Sequence, residues 1–243
     1  MINSKNKLIV ALDVETFDQA RKLIDELEST VDIFKVGLQQ FTAYGPFVCR
    51  YLQAKGKKVF LDLKFHDIPN TVASAVKSAV NLSVPPEAMT GFEPLFMLTV
   101  HTVGGGEMLQ AAVKAAHEQA AKLGTKPPLI VGVTVLTSQA KADNMEELVL
   151  ERAQLAKDSG LDGVVASVEE AAAIRKQFGK DFIIVTPGIR PADASVNDQK
   201  RVATPKVAIQ SGSSFLVVGR PIVQDQNPHL AATRILEEIN SVS

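Results

Sequence analysis

The chain is short of cysteine, of net charge and of long apolar runs, and each shortage removes a class of protein. Cys49 is the only cysteine in 243 residues. That excludes an internal disulfide and, with no Cys/His cluster beside it, argues against a zinc site; the residue reads as a core thiol. Lys and Arg number 26 against 27 Asp and Glu. Such a balance offers no broad basic face, so no nucleic acid and no membrane surface is expected as a partner, and a small molecule is favoured. No segment is apolar for long enough to span a bilayer, and Met1–Lys7 leads into Leu8–Leu12 without a signal-like region, so a cytoplasmic location is expected. His66, His101, His117 and His229 form no recognisable ligand set. Gly104–Gly106 lacks a Walker lysine and dinucleotide spacing, which leaves it as a tight turn.

What is present is rhythm. Hydrophobic residues make up 46% of the chain, and short β-branched runs alternate with longer helical stretches. Strands are predicted near Lys7–Val14, Ile33–Leu38, Lys58–Phe65, Leu95–His101, Leu129–Val135, Gly163–Ser167, Phe182–Gly188 and Phe215–Arg220. Eight such units without a Gly/Ser-rich linker match one α/β domain over residues 1–243, a single (β/α)8 TIM barrel. Two segments interrupt the rhythm. Ser83–Pro94 leads into strand four and falls at the structural end of a barrel, whereas Ile189–Val202 leaves strand seven at the catalytic end and is expected to act as a lid.

Charge then appears where a barrel should be oily. In Phe60–Phe65, strand alternation puts Asp62 and Lys64 on one face and Leu61, Leu63 and Phe65 on the other. Pro69-Asn70-Thr71 starts a helix, which leaves Asp67 in the connecting loop. The same alternation sends Asp13 and Lys35 inward from strands one and two. One buried ion pair could be structural, but desolvation makes four converging charges at the catalytic end better explained as an active site. Gly219-Arg220 closes strand eight, the usual phosphate position of this architecture, and Arg presents a planar fork of donors. His101 ends strand four, either lining the site or as a satisfied core residue.

The run Asp62-Leu-Lys64-Phe-His-Asp67-Ile68-Pro-Asn-Thr71 resembles the Asp-x-Lys-x-x-Asp-Ile-Pro signature of orotidine 5′-phosphate decarboxylase, bacterial type. Ala11-Leu-Asp13, Phe34-Lys35-Val-Gly37, Val133-Thr-Val-Leu-Thr137-Ser138, Thr186-Pro187-Gly-Ile-Arg190, Gln199 and Val218-Gly219-Arg220 resemble family segments in the same order. The resemblance implies a homodimeric barrel that converts orotidine 5′-monophosphate to uridine 5′-monophosphate and CO2, the last step of de novo pyrimidine synthesis, with no cofactor and no metal. It implies Lys64 as proton donor to C6, flanked by Asp62 and by Asp67 of the neighbouring subunit, which brings Thr71 with it, and it implies Ile68 as a substrate-binding residue. Asp13 and Lys35 are implied as ribose ligands. Thr137 would contact the pyrimidine, with Thr134 as a rival nearer the strand; Pro187, Arg190, Gln199, Gly219 and Arg220 would form the rest of the substrate site, chiefly the phosphate end. The excursion Ser83–Pro94 looks longer than the family's usual link.

Two other readings compete. Metal-dependent relatives of the 3-keto-L-gulonate 6-phosphate decarboxylase and hexulose phosphate synthase type share Asp-x-Lys-x-x-Asp but need acidic magnesium ligands, where this chain has Lys35. A non-catalytic nucleotide sensor would have no need of a lysine between two carboxylates.

Overall fold

A computed structural model describes residues 6–85, 91–136, 144–191 and 203–242. All eight expected strands form: β1 (Leu8–Ala11), β2 (Ile33–Gly37), β3 (Lys58–Phe65), β4 (Leu95–His101), β5 (Leu129–Val133), β6 (Gly163–Val165), β7 (Ile183–Thr186) and β8 (Phe215–Val218). Each pairs in parallel with the next, and β8 pairs with β1 through Leu8–Leu216, Ile9–Val217 and Val10–Val218, so the sheet closes into a (β/α)8 barrel. Six of the predicted strands end earlier than expected, β1, β2, β5, β6, β7 and β8. Several of the extra residues, Asp13, Val135, Pro187 and Arg220 among them, lie past the ladder and line the mouth of the barrel.

Helices α1 (Phe17–Leu27), α2 (Leu38–Tyr44), α3 (Phe47–Ala54), α4 (Pro69–Val80), α5 (Gly105–Leu123), α6 (Met145–Asp158), α7 (Val168–Phe178), α8 (Pro205–Gln210), α9 (Arg220–Val223) and α10 (Pro228–Asn240) surround it. Their starts are encoded locally. Thr16 and Gln19 form a capping box at α1, and Pro69 opens α4 where its missing N–H costs nothing. The Gly104–Gly106 run is a βα turn: Gly105 has φ 80° and begins α5, as expected. At the opposite end of the barrel, the described flanks of the Ser83–Pro94 excursion are tied down by Arg50 donating to the Val84 carbonyl at 2.8 Å and by Glu93 N–H donating to Gln53 at 3.2 Å.

Strand alternation separates two cores. Leu8, Val10, Leu12, Phe34, Val36, Val59, Leu61 and their neighbours face the helices, while Ile9, Ala11, Ile33, Phe60, Met97, Val131, Val185 and Val217 fill the barrel. Cys49 is buried in the outer core as a core thiol, with burial pushing its pKa up to about 12. Strand β3 alone among the described strand pairs slips in register: Leu61 pairs with Leu98 but Phe65 pairs with Val100, so four residues of β3 run against two of β4. Within that slip, Lys64 takes φ 52°, a left-handed conformation found at no other non-glycine residue described.

Candidate active site

Asp13, Lys35, Asp62 and Lys64 do converge, and they form one chain of alternating charge. Lys35 Nζ lies 3.1 Å from Asp13 Oδ1 and 3.6 Å from Asp62 Oδ2. Lys64 Nζ lies 2.9 Å from both oxygens of Asp62. Lys35 and Asp62 are the buried middle of the chain, with side chains only 10% and 13% exposed. Burial alone would raise the Asp62 pKa, but the ammonium groups of Lys35 and Lys64, with hydrogen bonds from Lys64 and Thr99, hold it below the ordinary carboxylate value. Gly37 makes this possible: a Cβ there would stand 2.9 Å from Lys35 Nζ and 3.3 Å from Asp13 Oδ1.

These four residues line a cavity of about 510 Å³ at the C-terminal ends of the strands, a size suited to a small ligand. Its opposite wall is apolar, from Val133, Val135, Val165, Val185 and Val217. Pro187, Arg190, Gly219 and Arg220 complete the lining, so the phosphate-end candidates share one cavity with the ionic chain. Arg190 is fixed at the base of its loop, where its N–H donates to the Ala203 carbonyl at 3.0 Å beside an isolated Ile189–Ala203 bridge. Gly219 approaches the ionic chain directly, since a Cβ there would lie 3.9 Å from Asp13 Oδ2. Thr137, Gln199 and most of the expected lid lie outside the described residues. Thr134 is turned away from the cavity: it is fully buried and its hydroxyl donates to the Val165 carbonyl at 2.9 Å.

Asp67, Ile68 and Thr71 are not brought into this cavity by their own chain. Asp67 is exposed, its carboxylate accepts the Ile68 N–H at 2.6 Å, and Ile68 itself is 66% exposed. His101 does not line the cavity either; its ring centroid is 5.7 Å from that of His66. Sequence reasoning missed Thr99, whose hydroxyl touches both Asp62 and the Lys64 backbone. The available signal was a lone hydroxyl in the apolar run Leu95–His101. It also missed Gln40, whose buried amide donates to the Val14 carbonyl and so holds the loop that carries Asp13.

A closed parallel barrel with a charged cavity at the C-terminal ends of its strands defines an enzyme of the (β/α)8 class. Residues 6–235 match the orotidine 5′-phosphate decarboxylase / HUMPS family, and the chain belongs to that family. It is 46% identical to the orotidine 5′-phosphate decarboxylase of Moorella thermoacetica, over 99% of this chain and 95% of that protein. It is 47% identical to the enzyme of the same name from Syntrophotalea carbinolica, over 98% and 97%. The crystal structure of orotidine 5′-phosphate decarboxylase from Lactobacillus acidophilus superposes with a TM-score of 0.80 at 36% identity, covering 97% of this chain and 99% of that one. Among the described residues no helix is long and apolar enough to cross a membrane.

Proposed function

We propose that the chain, as one barrel domain, decarboxylates orotidine 5′-monophosphate to uridine 5′-monophosphate and CO2 in pyrimidine biosynthesis, with no cofactor and with Lys64 protonating C6. The observation that carries this reading is an order. Gly219 and Arg220 follow β8, Asp13 follows β1, Lys35 lies in β2, and Asp62 and Lys64 lie in β3, four consecutive staves of the barrel. Phosphate, ribose and pyrimidine follow one another in a nucleotide in the same sequence.

The chemistry needs little else. When the bond between C6 and the carboxylate breaks, its electron pair stays on C6 in an sp2 orbital with no adjacent electron sink. An ammonium at Lys64 stabilises that developing charge and then transfers a proton to C6, which combines electrostatic stabilisation with general acid catalysis. Asp62 aims the ammonium from 2.9 Å. The apolar side chains of the facing wall lower the polarity around these groups, where charges act more strongly than in water. Phosphate binding at Arg190 and Arg220 is remote from C6, so its energy can order the site and lower the barrier.

Asp67 and Thr71 belong, in this reading, to the active site of a second copy in a homodimer. Support comes from their position beside the exposed Ile68 and outside their own chain's cavity. Mixing Lys64→Ala with Asp67→Ala subunits should then restore part of the activity, because one composite site per heterodimer is wild type; no recovery would sink the shared site. Against the metal-dependent relatives stands Lys35, whose ammonium lies between the Asp13 and Asp62 carboxylates, where a magnesium ligand set would need an acid. The deciding experiment follows the loss of orotidine 5′-monophosphate absorbance with purified protein in excess chelator. Turnover is expected, and its absence until magnesium is added would overturn the reading.

A further inference from the structure

We propose that Thr99 is a positioning residue for the reaction, its hydroxyl holding Lys64 in its left-handed backbone conformation while it orients Asp62. The inference rests on the reading of Lys64 as proton donor. The Lys64 N–H is 2.8 Å from Thr99 Oγ1, and Thr99 Oγ1 is 3.0 Å from Asp62 Oδ1. The directions are forced: a backbone N–H only donates and a carboxylate only accepts, so the one hydroxyl accepts from Lys64 and gives its proton to Asp62. Thr99 has no exposed surface and does not line the cavity, so it acts through these two neighbours and not on a ligand.

Its place in the fold explains why a hydroxyl is needed there. Where β3 slips against β4, between the Leu61–Leu98 and Phe65–Val100 pairs, regular ladder bonding is interrupted and Lys64 turns to φ 52°. A side chain with two branches at Cβ would be costly in that conformation, and even lysine holds it only when the surroundings impose it. Thr99 supplies the N–H with a buried partner on the far side of the slip. Because the same oxygen also fixes Asp62, the backbone that carries the ammonium and the carboxylate that aims it are tied to one point. Valine at this position would keep the shape of the side chain and remove both bonds.

The test is steady-state kinetics of Thr99→Val, Thr99→Ser and Lys64→Ala beside wild type, with uridine 5′-monophosphate binding measured on each. For Thr99→Val, kcat is expected to fall about 10- to 100-fold, the scale of misplacing a reacting group by a fraction of an ångström to an ångström, with KM and nucleotide binding within about threefold. Its acid limb should move to higher pH, because Asp62 loses a donor that favours the carboxylate. Thr99→Ser should recover most of kcat. A Thr99→Val enzyme with kcat within twofold of wild type overturns the proposal, as does a Thr99→Ser enzyme no better than Thr99→Val, or a parallel loss of kcat, KM and Tm. Amide exchange of wild-type Lys64 gives a check that needs no variant to fold: its N–H should be protected like those of Phe60 and Leu61, and fast exchange would overturn the bond on which the proposal stands. If Lys64→Ala stays active, the proton-donor reading fails and takes this one with it; if Lys64→Ala is dead while Thr99→Val is fully active, only this one fails.

Discussion

The two walls of the cavity are built in opposite ways. The β1–β3 wall carries Asp13, Lys35, Asp62 and Lys64 in contact, on a strand that slips in register and bends a lysine into φ 52°. The β5–β8 wall is regular ladder lined by Val133, Val165, Val185 and Val217. Burying ions and distorting a strand both oppose folding, whereas packing valines favours it. The molecule therefore concentrates its unfavourable features on the wall proposed to carry the chemistry and builds the remainder as an ordinary barrel interior. The proposed phosphate ligands, Arg190 and Arg220, are placed beyond the strand ends of the regular wall, where they disturb no ladder.

This contrast can be broken by substitutions that treat the walls separately. The largest effect is expected from Lys64→Ala, which should lower kcat by about 10³-fold or more, within the range of general acid catalysis, while uridine 5′-monophosphate still binds in calorimetry. Substantial residual turnover would remove Lys64 from its role. Arg220→Ala should come next, with kcat/KM down about 100-fold and kcat itself reduced, since remote binding energy is expected to act on the barrier. A raised KM with unchanged kcat at saturation would confine Arg220 to simple binding. Gly37→Ala places a Cβ 2.9 Å from Lys35 Nζ. Displacing that ammonium should lower kcat/KM about 10-fold by loosening the ionic chain, and an unaffected enzyme would show that the chain tolerates rearrangement. Val185→Ala, on the other wall, should cost about 2 kcal/mol in urea unfolding through lost burial and a small cavity yet leave kcat within about threefold; a larger kinetic loss would mean that the apolar wall does more than exclude water.

The same contrast marks what could be read from the sequence. Regular alternation makes residues such as Ile9, Ile33 and Val217 legible as interior, and it brought Asp13, Lys35, Asp62 and Lys64 to one place. Lys64 is legible only in part: an unbroken pleat would place it beside Asp62, but β3 reaches the same side through a two-residue slip, and a slip is set by the pairing of β3 with β4 and leaves no mark in Phe60–Phe65 alone. Strand ends were overrun for a related reason. Val135 and Pro187 continue an apolar pattern after the ladder has stopped, because the cavity, and not the sheet, receives them. Asp67 is assigned a role only by resemblance, since among the described residues it forms no ion pair with a basic side chain.

The smallest expected effect concerns His101, on the strand next to the ionic wall. Burial chiefly, and then the positive charges of His66, Arg152 and Lys64, lower its pKa from the ordinary value. In the unfolded chain histidine titrates near about 6.5, so between that value and the lower folded one the unfolded state binds more protons. Stability contributed by neutral His101 is therefore complete above about pH 6.5 and declines as the pH falls below it. Asp62, also held low, adds a further loss only nearer the ordinary carboxylate range. Thermal unfolding at pH 7 and pH 5 should show a smaller drop in Tm for His101→Gln than for wild type, because glutamine does not titrate and the Asp62 contribution is common to both. An equal drop would mean that His101 is protonated in the folded protein as readily as in the unfolded one, so that neither its burial nor the neighbouring positive charges depress its titration.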